Sequence, residues 1–371
     1  MDFLSLLNLP VFYVLPFLAA LTVIIFIHEL GHFLVARWFG VAIETFSIGF
    51  GREIAGWYDR HGTRWKLCWV LLGGYVKFKG DANAASQPER DSAATREPGN
   101  FHGKPVWQRA LIVVAGPVAN FILAILIFAG GYAFVGMSYL PPLVAGLSKD
   151  GAAEKIGILT GDLIVSIDGR KLKSFQDIRE AVLFRAGERL DLVVDRQGQT
   201  LAFAVAPQET EEIDAYGRVT KTALLGIEQP GRDKMLVEQL SLPQAGAKAV
   251  ERTGYIITTT VKYIGRIFVG KENGSKIGGA ITVAKIAGEA ASLGLYEFML
   301  IIGIISVSIG LINLFPIPML DGGHLVLYGI EAVLGKPVGA NVQEWSFRIG
   351  LSLVLMLMVM GLVNDIGWIT K

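Results

Sequence analysis

Four long apolar stretches constrain the fold of this chain more than any other feature. They cover residues 10–36, 110–134, 298–320 and, with its polar flanks, 349–362. A membrane-spanning helix needs roughly 20 mostly apolar residues. Hydrophobic residues make up 52% of the 371 residues and charged residues only 18%, a balance that is too apolar for a soluble globular protein. The sequence therefore predicts a polytopic α-helical membrane protein with four transmembrane helices.

The distribution of basic residues predicts the orientation of these spans. Residues 37–109, between the first two stretches, are rich in Lys and Arg, whereas the ten residues MDFLSLLNLP contain none. By the positive-inside rule, residues 37–109 are cytoplasmic and the segment 136–296 is extracytoplasmic. The first stretch is interpreted as a retained span and not as a signal peptide, because it lacks a basic start and a cleavage signal.

Charge and cysteine content exclude several classes of function. The formal net charge is only +1, so nothing in the charge balance indicates a nucleic-acid partner. Cys68 is the single cysteine, which excludes an intrachain disulfide and a cysteine-rich metal site. The lipid bilayer is the partner that the composition does predict.

Residues 46–80 are dense in Trp, Val, Tyr and Phe, and glycines punctuate them. The motif DRHG at 59–62 is typical of a hairpin turn. We expect a membrane-associated β-hairpin or small sheet at the cytoplasmic face. The polar residues 81–103 that follow are predicted to form a mobile loop.

Residues 141–208 have the pattern of a compact α+β module. Helical spacing over 175–185 follows Ser174 as a plausible cap, and LDLVVDRQGQTLAFAV predicts a hairpin around Gln197 and Gly198. The run GAAEKIGILTGDLIVSIDGRKL resembles a single PDZ domain of the kind found in bacterial proteases. That resemblance implies an extracytoplasmic module that binds extended peptides by strand addition. A spacer that only separates the spans is the alternative.

Residues 246–270 contain spaced basic residues among apolar ones. They predict either a helix that lies on the outer membrane surface or a helix packed in the soluble part. The resulting organisation has four parts: an N-terminal membrane half at 1–135, the PDZ-like domain at 136–230, an extracytoplasmic linker at 231–296 and a C-terminal membrane half at 297–371.

The motif HELGH at 28–32 places polar residues inside the first apolar stretch. Four-residue spacing puts His28 and His32 on one helix face, where both rings can bind one metal ion, and Glu29 lies beside them as a candidate base. Ionisable residues inside a membrane span usually have a function. At 1.5 Å per residue, His28 lies about 27 Å beyond residue 10, near the cytoplasmic edge of the bilayer.

A catalytic zinc ion takes three protein ligands and leaves the fourth position for water. The sequence offers two candidates for the third ligand within apolar surroundings, Asp321 and His324. His61 and His102 lie in the polar loop and are less favoured. The residues alone leave Asp321 and His324 as alternatives.

HELGH in the first span, together with NLFPIPMLDGG at 313–323, resembles the signature of the site-2 protease family of intramembrane zinc metalloproteases. The motifs GFG at 49–51, GPVAN at 116–120 and GGAITVAKIAG at 278–288 are similar to the bacterial RseP type. The resemblance extends over nearly the whole chain, with one PDZ-like copy where some relatives have two. It implies regulated intramembrane proteolysis, in the bacterial inner membrane, of single-span membrane proteins such as anti-sigma factors and remnant signal peptides.

The resemblance also implies roles for individual residues. It makes His28, His32 and Asp321 the ligands of Zn²⁺, and Glu29 the catalytic base. Asn313 corresponds to a residue that holds the substrate backbone. His324 then lies outside the ligand set.

Substrate handling adds a second set of expectations. A helical substrate must unwind before its peptide carbonyls can be attacked, and strand-like backbone near Gly73, Gly74 and Tyr75 can pair with the unwound segment. Pro316 and Pro318 are expected to break the third helix. Gly116 and Asn120 share a helix face, for which close helix packing and a catalytic role are both open.

Two other classes of function compete with a protease. A membrane metal transporter or sensor would use the same ligands without hydrolysis, and a catalytically inactive PDZ scaffold would use only the soluble module. Glu29→Gln separates the first from a protease, because Gln cannot act as a base but leaves the metal ligands intact. Cleavage by the purified protein separates the second.

Overall fold

The computed structural model describes residues 10–81, 97–213, 219–271 and 277–369. Most of the predicted mobile loop, residues 82–96, lies outside them. The helices are α1 (Leu15–Trp38, after the π-helical turn Pro10–Val14), α2 (Val106–Phe134), α3 (Ala152–Lys155), α4 (Phe175–Val182), α5 (Leu242–Phe268), α6 (Ala280–Leu293), α7 (Leu295–Asn313), α8 (Asp321–Leu334) and α9 (Ala340–Ile369). The strands are β1 (Ile43–Tyr58), β2 (Arg64–Phe78), β3 (Met137–Tyr139), β4 (Gly146–Leu147), β5 (Leu163–Ile167), β6 (Arg170–Lys171), β7 (Leu190–Arg196), β8 (Gln199–Val205), β9 (Gln208–Ile213), β10 (Val219–Leu224), β11 (Ile227–Glu228) and β12 (Leu236–Glu238).

Four helices in the described part of the chain are long and apolar enough to cross a membrane. Their candidate spans are Val11–Trp38, Val106–Phe134, Leu295–Asn313 and Asn341–Ile366. This number agrees with the sequence prediction and is compatible with a multi-pass membrane protein. The chain divides into two compact units, one built from Met1–Gly130 with Gln244–Gly367 and the other from Gly131–Pro243.

The boundaries of the last two spans differ from the predicted ones. The third helix ends at Asn313 and not near residue 320, because Pro316 lacks the N–H that a helix needs and restricts the residue before it. Asp321 consequently begins a separate helix, α8, after the turn that follows the third span. The fourth helix starts at Ala340 and not near 349. Its first turns are polar, so they form a helix that the apolar pattern alone does not mark.

Small residues let the membrane helices of the first unit approach closely. Ala20 and Ile24 of α1 and Ile302 of α7 form a buried cluster against the apolar face of α2. A Cβ atom on Gly31 would lie 2.8 Å from the Ala119 Cβ atom of α2, so only glycine fits at this crossing. Van der Waals packing of this kind holds helices together where lipid removes the hydrophobic driving force.

The hairpin predicted after the first span is present, and its turn is the predicted DRHG. The Gly62 amide donates to the Asp59 carbonyl at 3.1 Å, which closes the turn between β1 and β2. Residues 43–48 of β1 pair with two parts of β2, residues 74–78 and residues 64–67. Within the described residues no further strand pairs with 74–78, so this segment is the edge of the sheet.

Aromatic packing joins this sheet to the first span. Phe46 is fully buried, stacks on Trp65 and contacts Phe26 and Phe33 of α1 edge to face. The cluster also includes Tyr328 of α8. The sheet is therefore fixed against the helix that carries HELGH.

The second unit is the predicted α+β module. Its main sheet is antiparallel with the strand order β6-β5-β7-β8, and β7 and β8 form the predicted hairpin around Gln197 and Gly198. Ser174 caps α4 through a capping box with Asp177. The helix ends at Val182 and not at 185, because Phe184 has a positive φ of 74°, which a right-handed helix cannot contain.

Candidate metal centre

Two histidines of α1 form the first half of the candidate site. His28 and His32 lie one helical turn apart, and both are only 8% exposed. Their Nε2 atoms are 3.2 Å apart. The spacing in HELGH therefore produces the shared face that the sequence predicts.

Asp321 joins these histidines from the far end of the chain. After α7 ends at Asn313 the chain turns through residues 314–320, and α8 begins at Asp321. Gly322 and Gly323 fold closely over that turn, where a Cβ atom on Gly323 would lie 2.7 Å from the Pro318 Cα atom. The LDGG sequence thus directs the carboxylate at the imidazoles.

The three side chains have the geometry of a tetrahedral cation site. The Asp321 Oδ2 atom lies 3.1 Å from His28 Nε2, and the Oδ1 atom lies 3.6 Å from His32 Nε2. Ligand atoms bound at the distances that zinc prefers are separated by about 3.3 Å. Among the described residues, these three are the group of His, Cys, Asp or Glu side chains close enough to share a metal ion.

The protonation pattern of the site also favours a cation. The His32 Nδ1 atom is 2.8 Å from the Ile112 carbonyl oxygen of α2. A carbonyl only accepts, so Nδ1 carries the hydrogen and the Nε2 lone pair faces the cluster. Asp321 Oδ2 is buried, and among the described residues His28 Nε2 is the polar atom recorded against it, at 3.1 Å. The His32 Nε2 lone pair and the Asp321 carboxylate therefore face the same point, as metal ligands do.

Gly116 of α2 makes room for both imidazoles. A Cβ atom there would lie 2.5 Å from His32 Cε1, closer still to His32 Nε2, and 2.9 Å from His28 Cε1. Both rings therefore lie directly against the α2 backbone. This contact resolves the open interpretation of Gly116 in favour of close packing against the site.

Glu29 faces the edge of the sheet. The Val76 backbone N–H faces the Glu29 carboxylate. A Cβ atom on Gly74 would lie 3.5 Å from Glu29 Cγ, so glycine allows the strand to pass close to α1. The side chain of Glu29 thus lies against the main chain of this strand.

The other residues of the predicted site occupy different positions. Gly73 lies under the Phe50 ring, and Tyr75 stacks on that ring at 6.0 Å. Gly74, between them, is the residue of the predicted strand segment that adjoins Glu29. Asn313 is half-buried at the end of α7. His324 lies one turn beyond Asp321 on α8, with its ring 6.4 Å from Tyr328, and it is not part of the ligand cluster.

Sequence reasoning did not find two main-chain partners of the site. The Ile112 carbonyl and the Val76 amide carry no residue-type signal that could have revealed them. The motif GPVAN was singled out, but its role was left open. In that motif Gly116 lies one helical turn before Asn120 within a span. This spacing was the sequence pattern that could have indicated α2 as the helix that supports the site.

Comparison with known proteins shows what the chain is similar to. A family model described as peptidase family M50 matches residues 16–357. A Rhizobium meliloti protein with the name "Putative zinc metalloprotease" is 43% identical over 365 residues, which covers 96% of this chain and 97% of that protein. Metalloprotease MmpA of Caulobacter vibrioides is 39% identical over 376 residues and covers 94% of each chain.

Among solved structures, a PDZ domain matches a small part of the chain. It belongs to an SdrC-like protein of Listeria monocytogenes and is 22% identical. The match covers 24% of this chain and 88% of that chain, with a TM-score of 0.20.

Proposed function

Because the chain belongs to peptidase family M50 and is a zinc metalloprotease, we propose that it cleaves peptide bonds inside the membrane. In this proposal the reaction is regulated intramembrane proteolysis of single-span membrane proteins, such as anti-sigma factors and remnant signal peptides. The observation that carries it is the convergence of two imidazoles and a carboxylate beside a glutamate. Three protein ligands with a free fourth position are typical of catalytic zinc.

His28, His32 and Asp321 hold the zinc ion in this proposal. When bound, zinc polarises the scissile carbonyl and makes a water molecule acidic enough to deprotonate near neutral pH. Glu29 accepts that proton and passes it to the leaving amine. The Val76 N–H, which faces the Glu29 carboxylate, orients this base.

The sheet edge positions the substrate. Residues 74–78 pair with β1 on one side, and the other side passes Glu29. An unwound substrate segment can add to such an edge through main-chain hydrogen bonds. Gly73, Gly74 and Tyr75 hold the substrate there, and the Asn313 carboxamide binds its freed backbone groups.

The second unit selects substrates by size or terminus. A cavity of about 400 Å³ opens between α4 and the segment that contains β11, and its apolar lining includes Phe175, Ile178 and Val182. An extended peptide end can occupy a groove of this kind. Deletion of residues 141–208 should abolish the preference for pre-trimmed over full-length substrates, and an unchanged preference would exclude the filter.

Location follows from the charge distribution described above. The protein lies in the bacterial inner membrane with residues 37–109 on the cytoplasmic side. The PDZ-like unit is then extracytoplasmic, and the active site is near the cytoplasmic edge. Cleavage consequently occurs close to the cytoplasmic end of the substrate span.

The decisive experiment is cleavage of a reporter span by purified protein, with zinc content measured in parallel. Glu29→Gln should retain zinc and lose turnover, and Asp321→Ala should lose both. Glu344→Gln is the matched control, because Glu344 is exposed and pairs with Arg348 within one helix. Cleavage that survives Glu29→Gln would contradict the role of Glu29 as the base. Absence of cleavage by the zinc-loaded unmodified protein would contradict the protease proposal and favour transport or sensing of the metal.

A further inference from the structure

The two histidines of the site differ in what holds the far side of their rings. The His32 Nδ1 atom faces the Ile112 carbonyl at 2.8 Å, which determines the hydrogen position described above. The His28 Nδ1 atom faces the Asn120 carboxamide, whose Nδ2 atom is 3.2 Å away. Asn120 is fully buried in α2.

Within the part of the chain that the structure describes, one atom of the Asn120 carboxamide has no partner. Its Oδ1 is buried and accepts no hydrogen bond, although its Nδ2 atom faces an imidazole nitrogen. An amide nitrogen only donates, so this pairing requires an unprotonated Nδ1 on His28. The hydrogen of the neutral ring would then be on Nε2, the atom that faces His32 and Asp321.

Half a turn of the carboxamide about its Cβ–Cγ bond removes the conflict at His28. It exchanges Oδ1 and Nδ2, which occupy nearly the same space. Oδ1 then accepts from an Nδ1–H of His28, and the Nε2 lone pair faces the cluster. We propose that Asn120 is a positioning residue that holds His28 in this tautomer and ring orientation for zinc.

The architecture of α2 supports this assignment. On α2, spacing by four places Ile112, Gly116 and Asn120 on one helix face. The Ile112 carbonyl and the Asn120 carboxamide each face one imidazole. Gly116, between them, leaves the space that both rings occupy. α7 supports Asn120 from its other side, where the Ser306 hydroxyl donates to the Asn120 main-chain oxygen at 2.9 Å. Outer partners of ligating histidines usually have this function.

The inference rests on the proposed role of His28 as a zinc ligand. Its test compares zinc affinity, measured by chelator competition on the purified full-length protein, in variants that differ only in the carboxamide. Asn120→Leu keeps the size of the side chain and removes the acceptor, whereas Asn120→Asp keeps an acceptor and removes the donor. Ser306→Ala is the packing control, because it loosens the α7 contact but leaves the Asn120 side chain in place.

We expect Asn120→Leu to weaken zinc binding ten- to a hundredfold. Asn120→Asp and Ser306→Ala should stay within a few-fold of the unmodified protein. Thermal unfolding of the metal-free variants checks that they fold, and Asn120→Ala repeats the test if the Leu variant does not.

The outcomes separate this inference from the proposed function. Unchanged zinc affinity in Asn120→Leu, with a loss in His28→Ala, overturns only the role of Asn120. Equal losses in Asn120→Leu and Asn120→Asp show that the amide acts as a donor, which also overturns it. Zinc affinity that survives His28→Ala refutes the ligand assignment itself.

Discussion

Gly116→Ala tests whether α2 sets the position of both imidazoles. The added Cβ atom would lie 2.5 Å from His32 Cε1, whereas ordinary van der Waals contact begins at 3.4 Å. The His32 ring must therefore move by about 0.9 Å, and the His28 ring must move as well. His32 Nε2 lies even closer to the added Cβ atom than Cε1 does, so the displacement acts directly on the ligand nitrogen.

A displacement of this size exceeds what a zinc site tolerates. Functional metal sites hold ligand distances to within about 0.2 Å, and a misplacement of about 1 Å in a catalytic group can cost about a hundredfold. We expect zinc affinity to fall about a hundredfold, equivalent to about 2.8 kcal/mol. Helix propensity acts in the opposite direction, since Ala is better than Gly by about 1 kcal/mol in a helix interior.

Three measurements distinguish these effects: zinc affinity by chelator competition, turnover of a reporter span, and thermal unfolding of the metal-free protein. Gly130→Ala is the matched control, because Gly130 is in the same helix and has nothing within 4 Å of its would-be Cβ atom. The control should bind zinc normally. If Gly116→Ala binds zinc within twofold of the control, the contact between α2 and the imidazoles does not set the site.

Three further predictions concern the scaffold. Arg109 is 7% exposed and pairs with Glu331 of α8 at 2.5 Å. Glu331→Ala leaves the buried Arg109 charge without this carboxylate and should lower the unfolding free energy by about 3–5 kcal/mol. Adding Arg109→Met removes that charge and should restore most of the lost stability. The Asp365 carboxylate accepts from the Gly279 and Ile281 amides at the start of α6, both at 2.9 Å; Asp365→Ala should cost about 1–3 kcal/mol and speed hydrogen exchange in that first turn, which unchanged exchange would contradict. Hydrogen bonds from Arg196 lower the pKa of the Asp162 carboxyl. This pair therefore stabilises the second unit above about pH 4, and the stabilisation is lost as pH falls through the lowered pKa. Protection of the β5 amides from hydrogen exchange in the full-length protein should decline as the pH is lowered, and it should decline less in Asp162→Asn.

Local patterns were enough to predict much of the architecture. The apolar stretches predicted four candidate spans, DRHG predicted the turn of the long hairpin, and Ser174 predicted the cap of α4. Each of these depends on residues close together in the chain, where side-chain type and backbone preference act directly. The four-residue spacing in HELGH likewise required two imidazoles on one helix face.

Only the tertiary structure decided which distant groups complete that face. Asp321 and His324 were equal candidates from the residues alone, and the turn before α8 brings the carboxylate and not the imidazole to His28 and His32. The Ile112 carbonyl and the Val76 amide are main-chain groups, which every residue type possesses, so no sequence pattern marks them. Gly116 marks a position where side-chain volume must be absent, and what fills that space depends on how α1 packs against α2.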